Sequence, residues 1–226
     1  MKDKLEVMIM KFKKTIGIVL VFVLLFSLAA CANNNTSDQT HTSSQSATTA
    51  SNENPATAEG NTASGKKAIV VYFSGSGNTK RVAELVANET DAALFEIVPK
   101  NPYTEDDLNW RDEKSRVQKE HNDPSLQNIE LTSTTVPDWE SYDTVLFGYP
   151  LWWREAAWPV NNFVKGNDFS GKTVIPFCTS TSDGIGDSGS KLAQMAGTGT
   201  WQEGMRFPEN DDESTIREWA KSLNLI

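Results

Sequence analysis

The segment from Ala68 to Val86 constrains the fold more than any other part of the chain. A β-prone run, Ala-Ile-Val-Val-Tyr-Phe, passes directly into Ser-Gly-Ser-Gly-Asn-Thr, and Val82, Leu85 and Val86 then recur at helical spacing. Strand, tight loop and helix follow one another without a linker. Leu94–Val98, Asp143–Gly148 and Thr173–Phe177 are further apolar runs bounded by turn residues, and Thr200–Phe207 supplies a fifth, more polar run suited to an edge. Helical patterns alternate with them: Val160, Phe163 and Val164; Leu192 and Met195; Ile216, Trp219, Ala220 and Leu223. Strands apolar on both faces belong to a parallel sheet covered on both sides. With right-handed crossovers the product is a doubly wound, three-layer α/β sandwich on a five-stranded parallel sheet.

The chain divides by composition into three parts. Residues 1–30 combine a Lys-rich start with an apolar run, Ile16 to Leu28, too short to be read as a membrane-spanning helix, and end in Leu28-Ala29-Ala30 before Cys31. This is the outline of a secretory signal. It resembles the bacterial lipoprotein box, which implies lipidation of Cys31, cleavage before it, and a membrane-anchored protein outside the cytoplasm; an ordinary signal peptide is the alternative. Residues 31–66 are dominated by Ser, Thr, Asn, Ala and Gln and lack large apolar side chains, so they read as a disordered tether with a reach of roughly 30 Å. Residues 67–226 have the size of one domain with a sizeable core.

Five lysines against two acids give residues 1–30 a charge of +3, which leaves −12 of the chain's −9 on the remainder. Such acidity repels nucleic-acid phosphates and anionic headgroups, so neither is expected as a partner, and membrane attachment falls to the lipid alone. Cys31 and Cys178 are the only cysteines. If Cys31 is lipidated, no intramolecular disulfide remains.

Chemistry concentrates in three loops. In the first, Gly75 and Gly77 permit close backbone approach, Ser74, Ser76 and Thr79 offer hydroxyls, Asn78 is placed to hold the turn, and the free N–H groups of a helix start suit a phosphate without any lysine or arginine. The residues do not make a Walker loop, and a dinucleotide fingerprint needs a glycine where Lys80 stands. The second, Gly148-Tyr149-Pro150-Leu151-Trp152-Trp153, places aromatics at a strand's carboxyl end. The third, Thr179-Ser180-Thr181-Ser182-Asp183-Gly184-Ile185-Gly186, is again hydroxyls and glycines. All three fall at carboxyl ends of strands around the switch point where open α/β sheets bind ligands.

Ser74-Gly75-Ser76-Gly77-Asn78-Thr79 resembles the phosphate loop of flavodoxins, commonly T/S-x-T-G-N-T, with Ser76 in place of the usual threonine, and the resemblance extends over 67–226 with a GYPLWW-type second loop. It implies strand order 2-1-3-4-5 and FMN as cofactor. The implied contacts are Ser74 to Thr79 at the phosphate, Tyr149, Pro150, Leu151, Trp152 and Trp153 beside the ring, and Thr179, Ser180, Thr181, Asp183, Gly184 and Gly186 at its pyrimidine edge. FMN performs the redox chemistry, so no catalytic side chain is assigned. The expected function is electron transfer with a redox partner protein or a quinone-like acceptor. An FMN-dependent NAD(P)H:quinone-type oxidoreductase and a cofactor-less surface binding module are the alternatives. The mature charge of −12 is expected to disfavour the anionic reduced flavin and so give a low potential.

Other chemistries fare worse. Gly186-Asp187-Ser188-Gly189 resembles a trypsin-like serine motif, but the only histidines are His41 in the tether and His121 in the long Pro99–Pro137 connection. Two distant histidines do not make a metal site. His121 reads as solvated and Cys178 as a buried small hydrophobe. The charged stretch Tyr103–Glu120 reads as a solvated helix, with a lid or docking surface as the alternative.

Overall fold

The computed structural model describes residues 67–226; the expected signal segment, Cys31 and the tether lie outside the described residues. At the centre is β1 (Ala68–Tyr72), buried along its whole length. It pairs in parallel with β2 (Ala93–Glu96) on one side and β3 (Thr144–Trp152) on the other. Next come β5 (Thr173–Ser180), parallel to β3, and then β6 (Thr200–Trp201) and β7 (Met205–Pro208), both parallel to β5. β4 (Glu155–Ala156) only folds back on the end of β3. With β6 and β7 taken as one broken strand, this is the expected five-stranded order 2-1-3-4-5.

The break has a cause in β5. Pro176 has no N–H to donate to a neighbouring strand, and opposite it Gln202 to Gly204 bulge out between the two short strands. Gly204 lies so close that a Cβ there would sit 2.5 Å from the Pro176 carbonyl oxygen.

Side-chain alternation along the strands makes two cores. Val70, Tyr72, Leu146, Ile175, Phe177 and Phe207 face α1 (Asn78–Thr90) and α5 (Glu213–Ser222) through Val82, Val86, Ile216 and Ala220. Ile69, Val71, Val145, Phe147, Val174 and Cys178 face the opposite way, against α3 (Pro159–Lys165) and α4 (Ser188–Ala196) through Val160, Phe163, Val164 and Leu192. The four helices predicted from spacing therefore form, and Cys178 is a buried core residue.

Three expectations change. The second strand is shorter than Leu94–Val98 and is a half-open edge, with Leu94 47% exposed, because among the described residues no further strand pairs with its outer side. β3 runs four residues past Gly148, to Trp152, and turns back through Trp153 and Arg154, whose φ values of 49° and 67° are both left-handed. Two successive left-handed residues form a turn whose twist matches that of a two-residue hairpin, so the second loop is a projecting hairpin. The Pro99–Pro137 connection holds one short α-helix, α2 (Arg116–Asn122), capped by the Ser115 side chain and followed by a single 3-10 turn, Pro124–Gln127. Upstream, Thr104, Asp107, Asn109 and Asp112 bond backbone N–H groups locally. Such bonds compete with helix formation.

Candidate functional site

The carboxyl ends of β1, β3 and β5 open on one face, and two adjoining hollows lie among them. One, of about 230 Å³, is lined by Gly75, Ser76, Asn78, Pro150, Leu151, Trp152, Thr179, Ser180, Thr181 and Glu209, with Leu108 and Trp110 from the Pro99–Pro137 connection. The other, of about 280 Å³, is lined by Leu108, Trp110, Val117, Leu151, Trp152, Trp153, Arg154, Ser180, Thr181 and Asp183. Their shared walls join a polar end at the first loop to an aromatic end at the hairpin.

At the polar end, Ser74 Oγ accepts from Gly77 N–H at 3.1 Å and closes the turn. The bond assigned to Asn78 in the sequence reading is thus made by Ser74. Gly77, at φ 93°, precedes α1 and needs glycine's freedom. The N–H groups of α1's first turn have no intrahelical partner and point outward at the positive end of the helix dipole. Ser76 is exposed. Gly75 leaves the cradle open: a Cβ there would lie 3.2 Å from Leu108 Cδ2 and 3.6 Å from Trp152.

At the other end, the aromatic rings brace one another. Trp152 packs edge-on against Phe73, Tyr103 and Trp158. Trp153 stacks on His121 with centroids 4.0 Å apart and planes 8° from parallel, and Trp158 lies beneath it. His121 is thus stacked on the hairpin, which corrects its reading as merely solvated. Arg154 Nε pairs with Asp183 at 3.3 Å, tying the hairpin to the third loop.

The third loop begins inside β5. Thr179 and Ser180 belong to the strand, and Ser180 Oγ donates to the Asp183 carbonyl while accepting from Arg206 Nε at 2.9 Å. Arg206 Nη2 also donates to the Ser180 carbonyl at 2.8 Å.

Five of the anticipated contacts differ from expectation. Tyr149 is fully buried and hydrogen-bonded to Ser188 at 2.9 Å, because β3 continues through it and its side chain falls on the core face. Burial also pushes its phenol well above the usual range. Thr79 is 1% exposed and pairs with Thr179 at 2.8 Å in the interior, so neither hydroxyl lines the cradle as a free group. Gly186 lines a separate hollow with Ile185, Gly189 and Gly204. Gly184 is exposed and borders neither hollow.

The sequence reading missed Leu108, Trp110 and Val117. The connection that carries them is held by Glu120, which accepts from Tyr103 Oη at 2.6 Å and Arg116 Nε at 2.7 Å. Burial and that carboxylate together push the Tyr103 phenol well above its usual range. The only signal available was Trp110 itself, an isolated tryptophan in a charged stretch; it is 56% exposed. The segment, expected as a solvated helix with a lid or docking surface as the alternative, is helical only from Arg116 and supplies walls to both hollows.

A flavodoxin family model matches residues 67–223. The chain belongs to the flavodoxin family. Among solved structures, a protein of Bacteroides uniformis ATCC 8492 classed as a flavoprotein is 38% identical, with a TM-score of 0.63, covering 70% of this chain and 99% of its own. Its counterpart from Bacteroides eggerthii DSM 20697 is 37% identical, with a TM-score of 0.61, 70% of this chain and 98% of its own covered. A flavoprotein of Lactobacillus acidophilus NCFM, solved in complex with FMN, is 25% identical with a TM-score of 0.50, covering 69% and 99%. A search of curated proteins returned no match. The family assignment and the fold make this a flavodoxin-like domain.

Proposed function

We propose that the domain binds FMN and passes electrons between a donor and a redox partner protein or quinone-like acceptor. The observation that carries this reading is the joining of a lysine-free anion cradle to an aromatic-walled hollow at the sheet's switch point. FMN has a matching order of parts: a phosphate, a polar chain and a flat apolar ring. The residues present fit it. First-turn N–H groups of α1 and the Ser76 hydroxyl suit the phosphate, Gly75 leaves room for it, and Trp152, Trp153, Leu108 and Trp110 suit the ring. Ser180 and Thr181 offer polar groups at the far edge. The FMN complex of the Lactobacillus relative supports the choice of flavin.

When bound, FMN supplies the one- and two-electron chemistry. The protein's residues bind, orient and shield. The braced tryptophans hold a flat slot, the connection carrying Leu108 and Trp110 limits water, and no side chain is needed as acid or base. Cys31, the lipoprotein signal and the acidic mature charge extend the proposal to a lipid-anchored carrier outside the cytoplasm. The test is an absorption spectrum of protein incubated with FMN and desalted. A retained flavin spectrum, lost in Trp152→Ala and weakened in Ser76→Ala, is expected; a colourless protein that does not quench flavin fluorescence at micromolar concentration refutes the reading.

A further inference from the structure

Arg206 stands behind the third loop rather than in it. It lies on β7 opposite Cys178, and its guanidinium makes two bonds to one residue, Nε to the Ser180 hydroxyl and Nη2 to the Ser180 carbonyl. The Ser180 hydroxyl in turn donates to the Asp183 carbonyl. Ser180, Thr181 and Asp183 are walls of the aromatic hollow. A two-pronged donor that holds both the hydroxyl and the carbonyl of Ser180, whose hydroxyl in turn holds the Asp183 end of the turn, therefore sets the position of that wall, a task the planar guanidinium performs better than an ammonium group.

The charge matters as much as the bonds. Arg206 takes part in no ion pair among the described residues, unlike Arg154, which Asp183 neutralises on the open side of the same turn. Cys178, opposite it in the sheet, offers no countercharge, because burial pushes its thiol up to about 12 and so keeps it neutral. An uncompensated, half-buried cation remains behind one wall in a domain that is otherwise strongly acidic.

We infer that Arg206 is the positioning residue of the ring end of the site, and that its unpaired charge offsets the acidity of the chain there and favours the flavin in its reduced, negatively charged form. This rests on the FMN reading above. Arg206 borders neither hollow: it acts through Ser180.

The test compares the full chain with Arg206→Gln and Arg206→Lys, each checked for folding by circular dichroism. FMN and riboflavin affinities, the midpoint potential with FMN bound, and amide exchange of the flavin-free protein are the readouts. Arg206→Gln is expected to weaken FMN and riboflavin by the same factor, about tenfold for loss of a charged hydrogen-bond donor, because riboflavin lacks only the phosphate. It is also expected to weaken the reduced form about tenfold more than the oxidised form, a fall of about 30 mV in the two-electron midpoint. Arg206→Lys keeps the charge but not the fork, so it should retain the midpoint while losing affinity. Without flavin, Arg206→Gln should speed exchange at residues 180–183 by tenfold or more and leave 75–79 unchanged. An unchanged midpoint with unchanged exchange overturns the inference, as does a loss confined to FMN. A wild-type chain that binds neither flavin overturns the FMN reading, and the exchange pattern then decides the positioning role alone.

Discussion

The buried pair between Thr79 and Thr179 offers the sharpest test of how the site is assembled. These hydroxyls, 100 residues apart in sequence, meet at 2.8 Å with the two residues 1% and 3% exposed. Thr→Val keeps the shape and removes the hydroxyl. Either single change loses a net hydrogen bond of about 1 kcal/mol and strands the partner in a dry interior, at about 1–3 kcal/mol. Each single variant should therefore lose about 2 kcal/mol, or roughly 4–8 °C in melting temperature for a domain of this size. The double variant strands nothing and should lose about 1 kcal/mol, so the cycle should show a coupling of about 3 kcal/mol. Urea unfolding followed by circular dichroism measures all four corners. Additive losses, or single losses below about 0.5 kcal/mol, would refute the claim that this bond fastens the first loop's helix to β5.

Further outcomes follow from the same geometry. Gly148→Ala should cost about 3 kcal/mol in urea unfolding, since the new Cβ would lie 2.3 Å from the ring of the fully buried Phe177. Glu120→Ala should destabilise the domain by about 2–4 kcal/mol and raise amide exchange across 103–122, because Tyr103 and Arg116 lose a carboxylate whose side chain is only 5% exposed; Glu120→Gln should be milder. Cys178 should resist iodoacetamide at pH 8 unless the protein is unfolded. Its thiol titrates near 9.0 when unfolded and is pushed up to about 12 in the fold, so the unfolded state sheds the proton first. Stability should fall as pH rises from about 9 to 12, and Cys178→Ala should flatten part of that slope in pH-dependent unfolding.

The sequence exposed what depends on local pattern. Continuous apolar runs marked β1, β3 and β5, because strands covered on both faces need no polar alternation. Helical spacing marked α1, α3, α4 and α5, and Gly75 to Asn78 marked the tight turn that opens α1. The second strand was overstated for want of any local sign that its outer side would stay open: Leu94 is apolar yet half exposed.

Contacts across the chain were not legible in this way. Whether Tyr149 faced the site or the core depended on how far β3 ran before turning, and a strand's length past its last obvious residue is set by its partner, here β5. Leu108 and Trp110 become walls of the site only because Glu120, Tyr103 and Arg116 fold a charged connection back over it. Nothing in the local sequence singles out Arg206, which gains its role only when β7 lays it beside Ser180. The sequence by itself determined the alternation of strands and helices and the chemistry of the first loop, since both are properties of neighbouring residues. Tertiary structure decided which aromatic rings face the hollow, which hydroxyls are sealed inside and which cation stands behind its wall, because those follow from long-range pairing that no local pattern encodes.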